Sequence, residues 1–387
     1  MKQDIIIVEQ LERSLAEAVG RVKHDRLFCL TDETTLRLCW PKVQKMSAMQ
    51  GAKVITIGAG DENKTLESLA HVWTELQKGG ATRHSLLVNL GGGMVTDLGG
   101  FAASTFKRGL AFINVPTTLL SQVDASVGGK TGINFGGLKN EVGVFSDARS
   151  VLIATDFLDT LDDENILSGY AEMLKHGLLD SEEHWAALMQ DPFGVRERQR
   201  GSDLIARSIA VKERIVTEDP TEKGLRKALN LGHTVGHALE SLALRRSKPV
   251  LHGYAVAWGL IAELWLSAVK EQFPTEKLHQ TVRFIREHYG RMNITCDDYP
   301  ELLELMTHDK KNEADSINFT LLGGIGDIRI NRQATTSEIY ESLDFYRESW
   351  KRHCSPSSRS AASAVCRPRR SNWGRTPCSR SFTPIPK

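Results

Sequence analysis

The chain has 387 residues, 41% hydrophobic and 25% charged, which is ordinary for a globular protein that buries a large core and divides into two domains. Its formal net charge is +1, but nine basic and no acidic residues follow Trp350, so residues 1–350 carry a net charge of −8, which argues against a nucleic-acid-binding surface. The N-terminal residues lack a signal-peptide pattern, and no apolar run reaches the ~18–20 residues of a membrane span, so we expect a cytoplasmic protein that binds neither nucleic acid nor membrane.

Short apolar runs alternate with amphipathic stretches over residues 1–155. The apolar runs predict strands at Ile5–Val8, Leu27–Leu30, Lys53–Ile57, Leu86–Leu90 and Ala111–Val115, and the pattern changes after Val151–Ala154. The amphipathic stretches predict helices at Leu11–Val19, Thr35–Met46 and Thr65–Gln77. This alternation indicates an α/β domain, with a Rossmann-like parallel sheet and crossover helices.

The segment Asn89–Phe145 is rich in glycine and carries several charged and hydroxyl side chains. Glycine lets backbone N–H groups approach an anion closely, and lysine and arginine supply full charges. Gly91, Gly92 and Gly93 follow a predicted strand, where a nucleotide phosphate is expected in a parallel sheet. A triple glycine is also a plain tight turn, so this signal alone is weak. The whole segment predicts loops around an anionic substrate and a nucleotide.

Helical periodicity dominates after residue 155. We predict helices at Ile166–Leu179, Leu204–Thr217, His233–Leu244, His252–Val269, Lys277–Tyr289 and Ser337–Tyr346, and a hairpin of Ile317–Leu322 with Asp327–Ile330. The predicted organisation is an NAD-binding α/β domain at 1–155, a mostly helical metal- and substrate-binding domain at 156–348, and a basic tail at 349–387.

The tail from Lys351 has eight serines and five prolines in 37 residues and almost no aliphatic side chain. Such a segment buries too little apolar surface to order itself, so we predict that it is disordered and dispensable. A nucleic-acid-binding arm is the alternative to an extension without function.

Three predicted helices supply Glu172, His233 and His252, one carboxylate and two imidazoles, which suits a catalytic zinc with an open position. His233 and His237 share a helix face, and Asn230 and Arg226 continue that face if the helix extends so far. Lys175 lies one turn after Glu172, where a simple salt bridge is the alternative to a catalytic role.

Eight ordered segments together resemble the 3-dehydroquinate synthases. They are GGGMVTD, VPTTLL, VDASVGGKTGIN, LKN, AEMLKHG, LNLGHTVGHALE, LHGYAVAWG and HDKKN, and the resemblance covers about residues 4–347. It implies a lyase of the shikimate pathway that depends on NAD and a divalent metal, zinc or cobalt. The substrate would be 3-deoxy-D-arabino-heptulosonate 7-phosphate, and the products 3-dehydroquinate and phosphate.

The resemblance also implies roles for individual residues. The metal ligands would be Glu172, His233 and His252. The NAD contacts would be Asp32, Glu62, Lys64, Gly93, Asp97, Thr117 and Thr118, with Lys130, Lys139, Phe157 and Thr160 near the cofactor. The phosphate-side groups would be Lys130, Asn230, His237 and Arg108, the last reaching the site of a neighbouring subunit in a homodimer. The carboxylate contacts would be Arg226 and one of Lys310 or Lys311, and the hydroxyl contacts Asp124, Asn140, Lys175 and Lys212.

The sequence departs from the family pattern at two places. Tyr254 stands where the family often has a glutamate beside a metal ligand, and Glu141-Val142 replaces the common Leu-Ile. Neither change affects a proposed ligand.

Three alternatives compete with this interpretation. Another sugar-phosphate cyclase, of the 2-deoxy-scyllo-inosose or valiolone type, shares the cofactor and metal, but Arg226 suits a carboxylate that glucose 6-phosphate lacks. A metal-dependent polyol dehydrogenase has no need of Lys130, Lys139, Lys175, Lys212 and Arg226 together. Four of these groups, Lys130, Lys175, Lys212 and Arg226, are expected to repel one another until an anion binds. A binding protein on a decayed scaffold would not need the intact ligand set.

Overall fold

Six parallel strands form the central sheet in the computed structural model, which describes residues 3–136, 138–307 and 317–350. The strands of the chain are β1 Asp4–Ile7, β2 Leu27–Asp32, β3 Lys53–Ile57, β4 Leu86–Gly91, β5 Ala111–Pro116, β6 Lys130–Phe135, β7 Leu138–Phe145, β8 Ser150–Ile153, β9 Asn318–Gly324 and β10 Asp327–Gln333. The sheet order is β1-β8-β5-β4-β2-β3, and every pairing within it is parallel.

Thirteen α-helices surround and follow this sheet in the described residues. They are α1 Leu11–Gly20, α2 Glu33–Leu38, α3 Trp40–Val43, α4 Leu66–Lys78, α5 Gly93–Thr105, α6 Asp163–Asp180, α7 Glu182–Leu188, α8 Arg198–Glu218, α9 His233–Arg245, α10 His252–Glu271, α11 Thr275–Tyr289, α12 Tyr299–Thr307 and α13 Thr336–Glu348. None of the helices in the described part of the chain is long and apolar enough to cross a membrane.

Alternation of side chains along the strands produces two buried apolar clusters. On β2, Phe28 and Leu30 join the larger cluster, and Leu27 and Cys29 join the smaller one. The larger cluster continues through the helices of the second half as far as Tyr346. The α/β part and the helical part therefore share one continuous core. Its close packing holds the polar side chains at the boundary of the two parts in fixed relative positions.

The architecture confirms the predicted fold class, a Rossmann-like sheet followed by a helical half. Most predicted elements are present, and their ends differ from the prediction by at most six residues. The domain limits at 155 and 348 stay predictions. Lys310, Lys311 and the basic tail from Lys351 onward lie outside the described residues, whereas Ser349 and Trp350, also assigned to the tail, directly follow α13 and are described.

Three local predictions were wrong. The helix expected at Thr35–Met46 is divided into α2 and α3, because Pro41 in the first turn of α3 lacks the N–H that a continuous helix requires. The segment Lys130–Phe145, expected to form loops, is an antiparallel hairpin of β6 and β7. The face of α9 does not continue back to Arg226 and Asn230. These two residues lie on a separate 3-10 helix, Leu225–Asn230. Gly232, with a left-handed φ of 79°, separates that helix from α9.

Candidate active site

Three helices bring Glu172, His233 and His252 together in the second half of the chain. Glu172 lies in the middle of α6, His233 is the first residue of α9, and His252 is the first residue of α10. Oε1 of Glu172 lies 3.2 Å from Nε2 of His233 and 3.3 Å from Nε2 of His252. The glutamate is fully buried, so the three groups form one compact donor cluster.

Hydrogen bonds on the far side of each imidazole orient its Nε2 atom toward Glu172. Nδ1 of His233 lies 3.0 Å from the carbonyl oxygen of Leu231, and Nδ1 of His252 lies 3.3 Å from Oε2 of Glu240. Burial disfavours the charge on both rings. Burial lowers the pKa of His233 to about 4. At His252 the carboxylates of Glu240 and Glu172 outweigh the effect of burial and raise the pKa of the ring to about 10.

A buried carboxylate on α10 fixes the start of α9. Oε2 of Glu263 accepts a hydrogen bond from the backbone N–H of Gly232 at 2.6 Å, and Oε1 accepts one from Val235 at 3.0 Å. Since α9 has no side-chain cap of its own, Glu263 takes that role from the neighbouring helix. A Cβ atom at Gly259 would lie 2.0 Å from the carbonyl oxygen of Gly232, so close helix packing also depends on that glycine.

The donor set fits a divalent metal ion. Oε1 of Glu172 is buried and accepts no hydrogen bond among the described residues, although it faces two imidazole nitrogens. A buried carboxylate oxygen with two imidazole nitrogens 3.2 and 3.3 Å away is a usual donor set for a divalent ion, and a cation among these three atoms would neutralise the buried charge. The ring of His237 lies 5.2 Å from that of His233 and 5.7 Å from that of His252, and the three imidazoles form a second possible ligand group.

A second cluster lies beside Glu172 and contains Asp124, Lys175, Lys212 and His176. Lys212 donates to Oδ1 of Asp124 at 2.7 Å, and Lys175 pairs with Glu172 and lies 3.8 Å from Oδ1 of Asp124. Burial opposes the charge on Asp124, but Lys212 outweighs it and holds the pKa of the carboxyl well below its usual value. Burial also lowers the pKa of Lys212.

A third group joins the β6–β7 hairpin to the turn before α9. Lys130 pairs with Oε2 of Glu222, whose Oε1 accepts a hydrogen bond from Asn230 at 3.0 Å. Arg226 is 2% exposed and donates to the carbonyl oxygens of Pro220 and Gly128 at 2.6 and 2.9 Å, while its Nε has no partner among the described residues.

These contacts correct the expectation that the basic groups repel one another until an anion binds. Four lysines, namely Lys130, Lys139, Lys175 and Lys212, each pair with a carboxylate of the chain itself. The site is therefore neutralised internally, and an incoming anion exchanges partners rather than filling an empty positive pocket.

The carboxyl ends of β4 and β5 carry the groups predicted for the nucleotide. Helix α5 starts at Gly93 without a side-chain cap, so its first backbone N–H groups are open to an anion. Lys64 donates to Asp97 and to Asn140, both at 2.5 Å. Thr117 is buried just after β5, and Oγ1 of Thr118 accepts the N–H of Ser121.

The other residues predicted to contact the cofactor make hydrogen bonds or packing contacts within the protein. Asp32 caps α2, Glu62 is exposed in the turn after β3, Phe157 is buried, and Thr160 donates to the carbonyl oxygen of Phe157. Lys139 lies on β7 and donates to Glu240 at 2.6 Å. Arg108 is exposed in a left-handed turn after α5, and it has no hydrogen bond or ion pair to these groups within the described chain.

Sequence reasoning missed four groups of the site: Glu222, Glu240, Glu263 and His176. Only the spacing of His233, His237 and Glu240 on one helix face offered a signal in advance. Tyr254, the departure beside His252, packs its ring at 5.4 Å from that of Tyr289 and 6.1 Å from that of Trp258. It therefore fills an aromatic cluster.

Solved structures share this architecture. The 2-epi-5-epi-valiolone synthase of Streptomyces hygroscopicus, solved with NAD+ and Zn2+, is 26% identical with a TM-score of 0.80 over 90% of this chain and 97% of that one. A 2-deoxy-scyllo-inosose synthase complexed with carbaglucose-6-phosphate, NAD+ and Co2+ is 23% identical, with a TM-score of 0.74 over 89% and 96%. The fold is that of the sugar-phosphate cyclases.

Sequence comparison narrows the class. The N-terminal family of 3-dehydroquinate synthase matches residues 54–168, and the C-terminal family matches residues 169–312. The 3-dehydroquinate synthase of Parabacteroides distasonis is 54% identical over 349 residues, 90% of this chain and 99% of the relative. That of Pyrococcus abyssi is 41% identical over 322 residues, 82% and 92%. The chain belongs to the 3-dehydroquinate synthase family, and its function is the lyase reaction that releases phosphate from the heptulosonate phosphate and forms 3-dehydroquinate.

Proposed function

We propose that Glu172, His233 and His252 hold the divalent ion of this enzyme, and that NAD binds at the carboxyl ends of β4 and β5. The observation that carries the proposal is the buried Oε1 of Glu172, which lacks a hydrogen bond and faces both Nε2 atoms. For the cofactor, the support is the uncapped glycine start of α5 at the sheet edge. Zinc or cobalt suits a set of one carboxylate and two imidazoles.

When bound, the ion would acidify the substrate hydroxyl that is oxidised, and NAD would take up the hydride and later return it. The chain's own residues bind and orient the substrate. Lys175, Lys212, Asp124 and Asn140 would contact its hydroxyls. Lys175 pairs with Glu172, Lys212 pairs with Asp124, and Asn140 accepts a hydrogen bond from Lys64 on the nucleotide side. Lys175 and Lys212 are buried, which would exclude water from the reacting carbons on their side of the site.

The two anionic ends of the substrate require separate cationic groups. Lys130, Asn230 and His237 would bind the phosphate, since Lys130 and Asn230 already share one carboxylate as a common anionic partner. Arg226 would bind the substrate carboxylate through its unpartnered Nε, together with Lys310 or Lys311. The departing phosphate can accept the adjacent proton, so the elimination needs little dedicated acid–base machinery.

A homodimer would complete the phosphate site with Arg108 of the partner subunit. The β6–β7 hairpin exposes a group of large apolar side chains, 39–57% accessible: Phe135, Leu138, Val142, Val144 and Phe145. An exposed apolar group of this kind favours association with another chain. Strand β7 is exposed along its whole length, which suits an interface beside the site.

Phosphate release measured with the heptulosonate phosphate and catalytic amounts of NAD tests the chemistry. We expect one phosphate per substrate consumed and no steady accumulation of NADH, because the hydride returns to the product. A polyol dehydrogenase, the rival that shares this fold, would accumulate NADH with a simple polyol and release no phosphate. Either of those two results would overturn the proposed assignment of the cofactor's role.

A further inference from the structure

Glu240 lies between the proposed metal ligands and the cofactor side of the molecule. It shares a face of α9 with His233, seven residues before it, and with His237, three residues before it. Its side chain is 7% exposed, and both carboxylate oxygens are used. Oε2 contacts Nδ1 of His252 at 3.3 Å, and Oε1 accepts a hydrogen bond from Lys139 at 2.6 Å.

The contact with His252 determines which nitrogen of that ring is open to a metal. When Nδ1 donates its proton to a carboxylate, Nε2 keeps its lone pair and is the better ligand. The other imidazole ligand, His233, uses the backbone carbonyl of Leu231 for the same purpose. Glu240 is thus the side chain that fixes one ligand, whereas the backbone fixes the other.

The contact with Lys139 explains how a buried carboxylate is maintained at this position. A buried charge is costly unless a partner of opposite sign and hydrogen bonds compensate it. Lys139 comes from β7, on the α/β side of the molecule, and also lies 3.1 Å from Oδ2 of Asp61 in the turn after β3. A line of contacts therefore runs from the proposed nucleotide edge through Lys139 and Glu240 to His252.

We propose that Glu240 is a positioning residue for the metal ligand His252, and that Lys139 supports metal binding through it without touching the ion. This inference rests on the proposed ligand set of Glu172, His233 and His252. The inference predicts that Lys139, an exposed lysine of the hairpin, has a measurable effect on metal affinity.

The test measures zinc affinity by competition with a chromophoric chelator, in the absence of NAD, so the result does not depend on activity. We expect Glu240→Gln to bind zinc about 10- to 100-fold more weakly, as is typical when a carboxylate behind a ligating histidine is lost. Lys139→Met should weaken binding severalfold. The double variant should bind no more weakly than Glu240→Gln, because Lys139 acts through the carboxylate. The cobalt-loaded Glu240→Gln protein should also show a shifted visible spectrum.

Lys270→Met is the matched control. Lys270 is a partly exposed lysine with an equally short ion pair, 2.6 Å to Glu338, at the far end of the helix that begins with His252. Its loss should leave zinc affinity unchanged. Lys139→Met also guards against misfolding of the glutamine variant, since Lys139 is 43% exposed and contributes little packing.

Three results would overturn the inference, and they are distinguishable. If His252→Ala loses zinc while Glu240→Gln and Lys139→Met bind it like the wild type, the ligand set stands and the positioning role is wrong. If His252→Ala keeps full zinc affinity, the ligand set itself fails and this inference fails with it. Additive effects of Glu240→Gln and Lys139→Met would likewise exclude a common path through Glu240.

Discussion

Glu222 forms an ion pair with Lys130, and this contact links the β6–β7 hairpin to the turn that follows α8. The same carboxylate accepts a hydrogen bond from Asn230. Two of the groups proposed for the substrate phosphate are therefore held by an anion that belongs to the chain. The substrate must displace this carboxylate before its phosphate can bind to both.

Replacement of Glu222 by glutamine should strengthen the binding of inorganic phosphate. Loss of the internal anion removes the competition for Lys130, and a partly exposed ion pair of this kind contributes ~0.5–1 kcal/mol, which corresponds to about a two- to fivefold lower inhibition constant for phosphate. Inhibition of turnover by phosphate measures this. Lys130→Met is the opposing control. It should bind phosphate more weakly, and because it is expected to have little turnover, its phosphate affinity is measured directly by equilibrium dialysis beside that of the wild type. Unchanged or weaker inhibition in Glu222→Gln would show that the carboxylate does not occupy the phosphate position.

The ligand role of His252 and the substrate role of His237 can be separated by metal content. The three imidazoles lie close enough together for either assignment. We expect His252→Ala to lose stoichiometric metal, and His237→Asn to keep it while its turnover falls, because His237 is proposed to bind phosphate. Elemental analysis after gel filtration gives the first quantity and phosphate release gives the second. Metal loss from His237→Asn alone would exchange the two roles.

Arg226→Ala should reduce kcat/KM by an amount that corresponds to roughly 2–5 kcal/mol, because the substrate carboxylate would lose its buried charged partner. The guanidinium also donates to the carbonyl oxygens of Pro220 and Gly128, so the melting temperature should fall as well. Arg226→Lys separates the two effects, since it keeps the charge but loses the forked geometry. A variant whose kcat/KM equals that of the wild type would exclude contact with the substrate.

Burial of His176 should make the folded state less stable in acid. Burial first, and then the nearby Lys175, lower the pKa of His176 to about 3, and the ring is fully buried against Ser208. In the unfolded chain the pKa of this histidine is ~6.5, so below that pH the unfolded chain binds a proton that the folded chain does not bind. The free energy of unfolding therefore decreases as the pH falls from about 6.5 toward 3. At pH 5 the loss amounts to roughly 2 kcal/mol.

The measurement is urea unfolding at pH 7 and pH 5 with a chelator present, so that metal release does not contribute. His176→Gln keeps a hydrogen-bonding group but does not titrate. Its unfolding free energy should therefore fall by about 2 kcal/mol less than that of the wild type over this interval. Equal losses in the two proteins would assign the acid sensitivity to other groups.

Subunit mixing tests whether Arg108 acts across a dimer interface. Arg108→Ala and Lys130→Ala homodimers should both be inactive. A mixed dimer has one site with an intact Lys130 of its own chain and an intact Arg108 from the partner subunit. We expect mixed and refolded samples to regain up to about a quarter of wild-type activity, because half of the dimers are mixed and each has one intact site. Absence of recovery in samples that sediment as dimers would place Arg108 in the site of its own chain.

The sequence predicted the sheet and the helices well because their signals are local. Each strand of the sheet has a continuous apolar run, and helices at the surface such as α11 have a 3.6-residue periodicity. The strand Lys53–Ile57 and the helix Thr275–Tyr289 therefore differ by at most two residues at either end from the predicted limits. The hairpin of β6 and β7 was missed because β7 is exposed along its whole length and β6 buries three consecutive residues, so neither strand has a two-residue period.

By itself the sequence determined the family, the alternation that produces a parallel sheet, and the residue types that suit a metal, a nucleotide and an anionic substrate. Only the tertiary structure decided which carboxylate pairs with which base. Glu222, Glu240 and Glu263 reach partners 8 to 101 residues away, and Gly232 separates Arg226 and Asn230 from the face of α9. Such pairings depend on how the elements pack around the shared core, because the energy of a buried charge is set by neighbours in space and not by neighbours in the chain.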